Sequence, residues 1–428
     1  MQKSITIFKL KNSTTSNSDN FYAIGELNQF ESVILRRNYC GHGSFELWAP
    51  ITAENRMFFT PPADQSKNFV YFGDNVAGFI EIVQSDVDAS DNLRYHISGR
   101  TCEALMLSRA FGLAGETSGG HSMIINTTTF NNLTAAQIIT KMLHDCYSAD
   151  WDGKTLRQIP YLVTPQFSAN LPNTTFQFQR SGGSLYDAIV DFLSQEALSL
   201  GFWVKFDPAN RRLIPYVYAG VDRSASQNEN PTVVFSDQLN DILQSQYIFD
   251  ISDYKNAAYV AGEGEGSDRV IIQTTRETQD FNYNYYDDLQ NMQNFALHEY
   301  YVDARDVSRK YANTVEEGGT DENATLTDAE YYTVLARRGT SKLADFNVLN
   351  TFNATIRTQG NTMYKYGVDY NLGDIITIED TRLGISTDTR ITASEETFGV
   401  NYSLNLTFGE NPRTLTETLS RINNNFTN

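Results

Sequence analysis

The chain has 428 residues, and at roughly 100 to 200 residues per domain this length predicts two to four domains. It carries 52 acidic and 33 basic residues, for a formal net charge of −19. The densest basic clusters are the adjacent pairs Arg36-Arg37, Arg211-Arg212 and Arg337-Arg338. This composition disfavours a DNA-binding protein, because the summed field repels a phosphate backbone.

The cysteines and the terminal sequence place further limits on the class of protein. Cys40, Cys102 and Cys146 are an odd number without a C-x-x-C pair, which argues against a disulfide framework and a zinc site. We expect them to be buried or bystander thiols. The sequence has neither a signal peptide nor a run of about 18 apolar residues. We therefore expect a soluble protein without a membrane span, made in a cytoplasm.

The first hundred residues are rich in short apolar runs. The predicted strands are Ser4–Leu10, Phe21–Leu27, Phe30–Arg37, Gly43–Trp48, Phe79–Val83 and Leu93–Gly99. Six short antiparallel strands predict a small closed or nearly closed barrel, which leaves few unpaired strand edges. A short helix is expected after it, over Cys102–Phe111.

The next segment carries two helix-capping signals. Thr134-Ala135-Ala136-Gln137 is a capping box, and Ser184 stands three residues before Asp187. The second helix has an apolar stripe over 185–200, and Gly201 is predicted to end it in the left-handed conformation. Phe202–Phe206 and Arg212–Tyr218 then predict a hairpin, so the segment is an α+β lobe.

Strands resume after this lobe. They are predicted at Thr232–Phe235, Ile242–Ser252, Ala257–Ala261, Arg269–Thr274, Phe281–Tyr286, Phe352–Arg357, Ile375–Ile378, Arg390–Glu396 and Tyr402–Phe408. An acidic loop at Val315–Asn323 and a helix capped by Thr327 interrupt them, and Thr414–Ile422 at the end is compatible with a helix. In the last strand, Leu404, Leu406 and Phe408 alternate with polar residues, as in a half-buried strand.

The first and last blocks share an order of parts. Gly73-Asp74 precedes a strand, a polar turn follows, and a strand ends at Gly99; Gly373-Asp374 precedes a similar series that ends at Gly409. Interpreted as an internal duplication, this predicts two related barrels. The fold class is therefore α+β, mainly antiparallel β, with two related small β-barrels per chain and inserted α+β and helical lobes. The predicted domains are a first β-barrel at 1–112, an inserted α+β lobe at 113–231, a second β-barrel at 232–275 plus 352–412, an inserted loop and helical lobe at 276–351, and a C-terminal tail at 413–428.

No motif indicates catalysis or the binding of a metal or cofactor. His42, His96, His121, His144 and His298 are far apart and lack metal-ligand spacing. The glycines of 262–266 lack the G-K-[ST] ending of a phosphate loop, and the acidic segment 86–91 lacks the glycine and glutamate of a calcium loop. Ser184 has no G-x-S-x-G frame and is explained as a cap. We therefore predict no catalytic, cofactor-binding or metal-binding residues, no cofactor, and no enzymatic activity.

Several short stretches carry a family resemblance. They are Phe30–Tyr39, Gly43–Leu47, Gly78–Glu81, Ile97–Arg100, Tyr370–Asp374, Arg390-Ile391 and Phe408-Gly409. Together they resemble siphophage (long-tailed phage) tail proteins with a baseplate-hub fold, at both ends of the chain. The middle matches only in its order of elements.

The resemblance implies a structural tail-tip hub. Such a hub is a homotrimer whose paired barrels form a pseudo-sixfold ring, which adapts the sixfold tail tube to threefold tip components and conducts DNA during ejection. The implied location is the tail tip of the virion, after synthesis in the host cytoplasm. The implied partners are the distal tail protein, the tape-measure protein and tip or receptor-binding proteins, with non-specific passage of DNA through the lumen.

The sequence leaves three further hypotheses open. The acidic excess would line the lumen, where like-charge repulsion lets DNA slide. Alternatively, the chain is a tail-associated cell-wall hydrolase, which needs a pocket of convergent titratable groups. A third possibility is a glycan-binding adsorption protein that uses its 24 Tyr and 26 Phe as stacking platforms.

Overall fold

The structure is a computed structural model. It describes residues 4–10, 21–59, 67–87, 93–111, 113–116, 123–125, 127–147, 158–159, 161–194, 198–275, 297–312, 323–344, 346, 349–357 and 362–409. The predicted strand at Phe281–Tyr286, the acidic loop at 315–322 and the tail after 409 lie outside these residues. No described helix is long and apolar enough to cross a membrane.

The first block contains the strands that its apolar runs predict. Its elements are β1 (Thr6–Leu10), β2 (Phe21–Glu26), β3 (Ser32–Asn38), β4 (Ser44–Pro50), α1 (Ala53–Phe59), β5 (Lys67–Gly73), β6 (Val76–Val87) and β7 (Leu93–Thr101). A 3-10 helix, Cys102–Ser108, follows β7, in the segment where a short helix is expected. The sequence pattern does not predict β5 or α1, and α1 is too short for a helical period to stand out.

The second block is the α+β lobe. Its elements are β8 (Leu113–Glu116), β9 (Met123–Ile125), β10 (Thr127–Thr134), α2 (Ala135–Tyr147), β11 (Gln166–Phe167), β12 (Thr175–Ser181), α3 (Leu185–Leu193), β13 (Gly201–Asp207) and β14 (Arg212–Tyr218). Strands β13 and β14 pair antiparallel, as the predicted hairpin requires. The buried faces of α2 and α3 share one apolar core with these strands.

The third block returns to the strands of the sheet. Its elements are β15 (Val234–Ser236), β16 (Ile242–Asp250), β17 (Ala257–Ala261), β18 (Ile271–Thr275), β19 (Glu299–Asp303), β20 (Lys310–Ala312), β21 (Asn323–Thr325), α4 (Asp328–Ala344), β22 (Leu349–Ile356), β23 (Ile375–Asp380), β24 (Ile385–Phe398) and β25 (Ser403–Gly409). Helix α4 packs on the small sheet β18-β17-β19 around a separate core. The glycine-rich segment 262–266 lies between the antiparallel strands β17 and β18.

All three capping signals are confirmed. The amides of Gln137, Asp187 and Glu330 donate to the hydroxyls of the capping residues three positions earlier, at 3.4, 3.0 and 3.3 Å. The role predicted for Gly201 is wrong, because α3 ends at Leu193 and Gly201 begins β13. A glycine is needed at 201 for packing instead: a Cβ there would lie 2.5 Å from the ring of Tyr39.

One 13-stranded sheet joins the two ends of the chain. Its order is β16-β22-β25-β24-β3-β4-β7-β6-β5-β1-β2, and β23 pairs with both β24 and β15. The fold class α+β with mainly antiparallel sheets is confirmed. The described strands do not close into two barrels, however, because β3 pairs with β24 and the two halves are continuous. Each half keeps a core of its own beneath the sheet.

The two halves have the same strand order. Without β2, which extends the first half beyond β1 and has no counterpart in the described sheet, the first half runs β3-β4-β7-β6-β5-β1 and the second runs β16-β22-β25-β24-β23-β15. When each set is numbered along the chain, both read 2-3-6-5-4-1. One difference is that β1 pairs antiparallel with β5, whereas β15 pairs parallel with β23. We call these two sets of strands the first and second modules, and their common order indicates an internal duplication.

The Gly-Asp correspondence in the sequence is displaced by one strand. Gly73-Asp74 forms the turn between β5 and β6, whereas Gly373-Asp374 precedes β23, the equivalent of β5. Asp374 is buried and bonds Arg223 Nε at 3.0 Å and the amide of Val221 at 2.8 Å. The final strands β7 and β25 are true equivalents.

Tyr39, directly after β3, connects both modules to the lobe. Its hydroxyl donates to the carbonyl of Ser199 at 3.0 Å and accepts from the amide of Gly220 at 3.0 Å. Its own amide donates to the carbonyl of Thr392 in β24 at 2.8 Å. The ring packs against Gly373, where a Cβ would lie 2.2 Å from a ring carbon.

We predict that Gly373→Ala destabilises the fold more than Gly384→Ala does. Both glycines have positive φ, +96° and +67°, so alanine costs about 1–2 kcal/mol at either position. At Gly373 the methyl group also collides with Tyr39, and overpacking of this kind costs about 1–3 kcal/mol more. Gly384 faces open space and is the matched control. Urea unfolding measures both values, and equal losses would contradict the packing role of Gly373.

Candidate functional site

The junction between the modules is the pairing of β24 with β3. The pairing is antiparallel, from Ala393 opposite Asn38 to Phe398 opposite Val33. One face of the junction is apolar: Val33 and Phe398 are buried in the core of the first module. Residues alternate between the two faces of a sheet, and the residues between the apolar ones place polar side chains on the other face.

Arg36 holds the polar face of the junction together. Its Nε lies 2.6 Å from Glu395 Oε2 of β24, and its Nη1 lies 2.5 Å from Glu46 Oε1 of β4. The guanidinium therefore bridges carboxylates on both neighbouring strands. These distances are those of charge-assisted hydrogen bonds.

Further hydrogen bonds extend from this bridge in both directions. On one side, the ring nitrogens of His96 lie 3.3 Å from Glu46 Oε2 and 3.2 Å from Gln84 Oε1. On the other side, Asn405 Nδ2 donates to Glu395 Oε1 at 3.2 Å, and Thr355 Oγ1 donates to Asn405 Oδ1 at 2.7 Å. We call the resulting row the polar ladder, and its members are Gln84, His96, Glu46, Arg36, Glu395, Asn405 and Thr355. It crosses β6, β7, β4, β3, β24, β25 and β22 without a break.

Hydrogen bonds within the ladder favour the ionised forms of Glu46 and Arg36. The hydrogen bond from Arg36 holds the pKa of Glu46 below its usual value. Burial acts against the charge of Arg36, but its hydrogen bonds to Glu46 and Glu395 outweigh that effect and raise its pKa. Nearby on the same face, Arg100 forms a two-pronged contact with Glu81, with a shortest distance of 2.6 Å. The guanidinium groups of Arg36 and Arg100 are thus matched by carboxylates.

A shallow groove of about 460 Å³ lies beside the ladder, across β16, β22, β25, β24 and β3. Amide and hydroxyl side chains line most of it, including Gln244, Gln246, Asn353, Thr355 and Thr407. Its charged groups, Arg36 and Glu395, are already bonded to each other. Among the described residues, this lining does not have the convergent titratable groups that the hydrolase alternative requires.

The histidines that the sequence offers are dispersed. His42 packs on Tyr186, His144 lies 3.7 Å from Asp145, and His298 packs on Tyr254. His121 is outside the described residues, and only His96 joins the ladder. Within the described ranges, no group of three or more His, Cys, Asp or Glu residues could hold a metal ion. Cys102 and Cys146 are buried and Cys40 is partly buried, and none of the three belongs to a disulfide.

The ladder was not predicted, although the sequence contains one local signal for it. Arg36 and Glu46 lie on neighbouring strands that a short turn connects, so their contact follows from the hairpin. Glu395 is 359 residues away from Arg36, and no local pattern indicates that pairing. In the sequence, Arg36 is only one member of a basic pair, and its role as the centre of an ionic bridge is visible only in the structure.

A family model matches residues 18–410, most of the chain, and it describes Siphovirus ReqiPepy6 Gp37-like proteins. The chain belongs to this family. The resemblance to siphophage tail proteins is thereby confirmed. No curated protein matches the chain to a comparable degree.

Several solved structures are similar to this siphovirus family member. The tail protein from Neisseria meningitidis MC58 is similar at 12% identity, with a TM-score of 0.50 and coverage of 95% of this chain and 97% of that one. A 43 kDa tail protein of prophage MuSo2 from Shewanella oneidensis has 11% identity, a TM-score of 0.49 and coverage of 94% and 98%. Prophage tail protein gp18 from Listeria monocytogenes EGD-e has 12% identity, a TM-score of 0.46 and coverage of 99% and 100%.

We predict a measurable coupling between Arg36 and Glu46 that acid removes. Both side chains are about one-third exposed, so the coupling should be about 0.5–1 kcal/mol, the scale of partly solvated pairs. Because folding lowers the pKa of Glu46, its contribution is present above the usual value of 4.5 and is lost as the pH falls through the folded-state pKa.

A double-mutant cycle of Arg36→Met and Glu46→Gln, followed by urea unfolding between pH 7 and pH 3, measures this coupling. Glu379→Gln, an exposed carboxylate on β23, is the control and should show no coupling to Arg36. A coupling that stays constant down to pH 3 would rule out the ionic account of the ladder.

Proposed function

We propose that this chain is a structural hub at the tip of a phage tail, in which three copies form a ring of six related modules. The observation that carries the proposal is the edge-to-edge joining of two modules with one strand order. In that junction, the second strand of one module meets the fifth strand of the other. A head-to-tail contact of this kind generates a closed ring when its rotation returns to the start. Three chains would supply six modules, which matches a sixfold tube on one side and threefold components on the other.

The family and the fold support this proposal from a second direction. The chain is a siphovirus family member, and its fold is that of the Neisseria tail protein. The coarser conclusion, a structural protein of the phage tail, follows from the family. We propose in addition that the protein lies at the tail tip, that it is a trimer, and that the distal tail, tape-measure and tip or receptor-binding proteins are its partners above and below the ring.

We propose further that the face with the polar ladder lines the channel. The apolar face of the sheet already covers the module cores, so the polar face is the one available to a solvated lumen. Within the ladder, one guanidinium stands against two carboxylates, and the whole chain has a net charge of −19. Such a surface repels a phosphate backbone weakly and offers no cationic row to retain it, so DNA would pass without adhering.

The alternatives receive less support. For a cell-wall hydrolase, the groove beside the ladder holds a guanidinium and a carboxylate that satisfy each other. For a glycan-binding protein, the large aromatic side chains would have to form an exposed platform. Many of them are instead core residues, among them Phe45, Phe69, Phe192, Phe206, Phe235, Phe408, Tyr331 and Tyr370.

The first prediction of this proposal is a trimer. Sedimentation equilibrium of the purified chain should give three times its mass of 48.3 kDa, and negative-stain images should show a ring with a central channel. The control is a dilution series, in which the mass should fall towards that of the monomer. A monomer at all concentrations, also in the presence of isolated tails, would contradict the hub, and lytic bands in cell-wall zymography would contradict a non-enzymatic role.

The second prediction concerns the lumen. Lysines at Asn353 and Thr407, which line the groove, should convert a ring that ignores DNA into one that retains it. The matched control places lysines at Val368 and Leu383, which are exposed and outside the groove. Gel-shift assays with double-stranded DNA at about 0.1 M salt, near the point where the Debye length is about 10 Å, compare the variants. Equal retention by both lysine pairs would contradict a lumen at the ladder face.

A further inference from the structure

Apart from the outer edges of β2 and β15, two strand edges are unpaired in the described part of the sheet. The first is the outer edge of β16, which pairs only with β22 on its other side. The second is the outer half of β6: its segment 76–79 pairs with β5, and its segment 80–87 has no strand on that side. Long edges of this kind invite pairing with another chain and are normally protected by charges.

Both edges carry exposed apolar side chains, although Glu81 and Asp86 lie in β6 and Asp250 lies in β16. Tyr247 and Phe249 of β16 are 42% and 60% exposed, and Ile82 and Val87 of β6 are 53% and 60% exposed. This is a large apolar surface to leave in water, and on an edge strand it indicates a protein interface.

The common strand order of the two modules indicates which strand would pair with each edge. Strand β16 is the equivalent of β3, and β6 is the equivalent of β24. Strand β24 is also divided: its first half pairs with β23 and its second half, on the same edge, pairs with β3. In β6 the first half is occupied in the same way by β5, and only the counterpart of β3 is missing.

Shared irregularities align the two pairs of strands residue by residue. A bulge separates Ile80 from Ile82 in β6, and a bulge separates Ile391 from Ala393 in β24, so Ile82 corresponds to Ala393. On the other strand, Leu35 lies opposite the buried Phe45 in β4. Tyr247 likewise lies opposite the buried Phe352 in β22, the counterpart of Phe45, so Tyr247 corresponds to Leu35.

The equivalent positions differ in burial as this alignment requires. Leu35 is 1% exposed and Phe398 is 9% exposed, because β3 and β24 cover each other within the chain. Their counterparts Tyr247 and Val87 are exposed. The same sites are therefore buried where the junction is formed and open where its second strand is absent.

We propose that β6 of one copy pairs antiparallel with β16 of the next copy, in the register of the β24–β3 junction. This places Ile82 opposite Asp250, Gln84 opposite Ile248, Ser85 opposite Tyr247 and Val87 opposite Ser245. The inference rests on the proposed hub function, since it specifies how successive chains of the ring are joined. It makes the sheet continuous around the ring, with junctions within chains alternating with junctions between them.

The junction within the chain and the junction between chains differ in charge. This difference disfavours pairing of a strand with the wrong edge. Within the chain, Arg36 faces Glu395. At the corresponding positions between chains, Ile248 faces Gln84, and no charge is present. A wrong pairing of β16 with β24 would set Ile248 against Glu395 and leave Arg36 without that carboxylate, so the ionic pair disfavours mismatched edges.

Cysteine crosslinking tests the register. The pairs Gln84→Cys with Ile248→Cys, and Ser85→Cys with Tyr247→Cys, sample both types of directly opposed position in an antiparallel ladder. Under mild oxidation we expect each to give a covalently closed trimer on non-reducing gels, which reductant returns to monomer. The matched control, Gln84→Cys with Gln244→Cys, displaces one cysteine by four residues or about 13 Å and should not crosslink.

The outcomes separate this inference from the function on which it rests. A trimer by sedimentation in which neither opposed pair crosslinks, or in which the displaced pair crosslinks equally, overturns the register and leaves the hub intact. A monomer by sedimentation without crosslinks overturns both. Crosslinked trimer from the opposed pairs alone supports the inference.

Charge exchange provides a second readout that does not depend on oxidation. Gln84→Glu with Ile248→Glu places like charges face to face and should dissociate the trimer. Gln84→Glu with Ile248→Lys, which imitates the junction within the chain, should restore it. Dissociation that the lysine variant fails to reverse would contradict the opposed placement of these two residues.

Discussion

The pairing of β24 with β3 is the contact on which the rest of the structure depends. It turns two modules into one sheet, and it buries Val33, Leu35 and Phe398 on one face. It also brings Arg36 to Glu395 across 359 residues of sequence on the other face. Without this pairing the polar ladder would separate into two short rows, and both modules would keep an open edge.

The lobe between the modules is positioned by close contacts around Tyr39. Its hydroxyl is bonded to the segments on either side of the β13–β14 hairpin, and its ring fills the space left by Gly201 and Gly373. Because the interior is close-packed, these glycines cannot be replaced without displacing a module or the lobe. The lobe can therefore pack against the continuous sheet only because glycine occupies positions 201 and 373, where a larger side chain would collide with Tyr39.

Duplication preserved the topology of the modules and changed their chemistry. Both cores retain a phenylalanine at one equivalent position, Phe45 and Phe352, because the interior accepts little variation in volume. The edges diverged, with Arg36 in one module and Ile248 in the other. Divergence at the edges gives the two junctions of the proposed ring different partners, whereas identical edges would allow either pairing.

The amino-acid sequence by itself determined the local elements of this protein. Capping at Thr134, Ser184 and Thr327 and the alternation of Leu404, Leu406 and Phe408 depend on neighbours a few residues apart, and the structure contains them as predicted. Only the tertiary structure decided that the modules form one sheet and that the polar ladder crosses it. The reason is physical: an edge strand accepts any partner with a compatible register, and the choice of β24 for β3 depends on burial and charge contributed by residues from the opposite end of the chain.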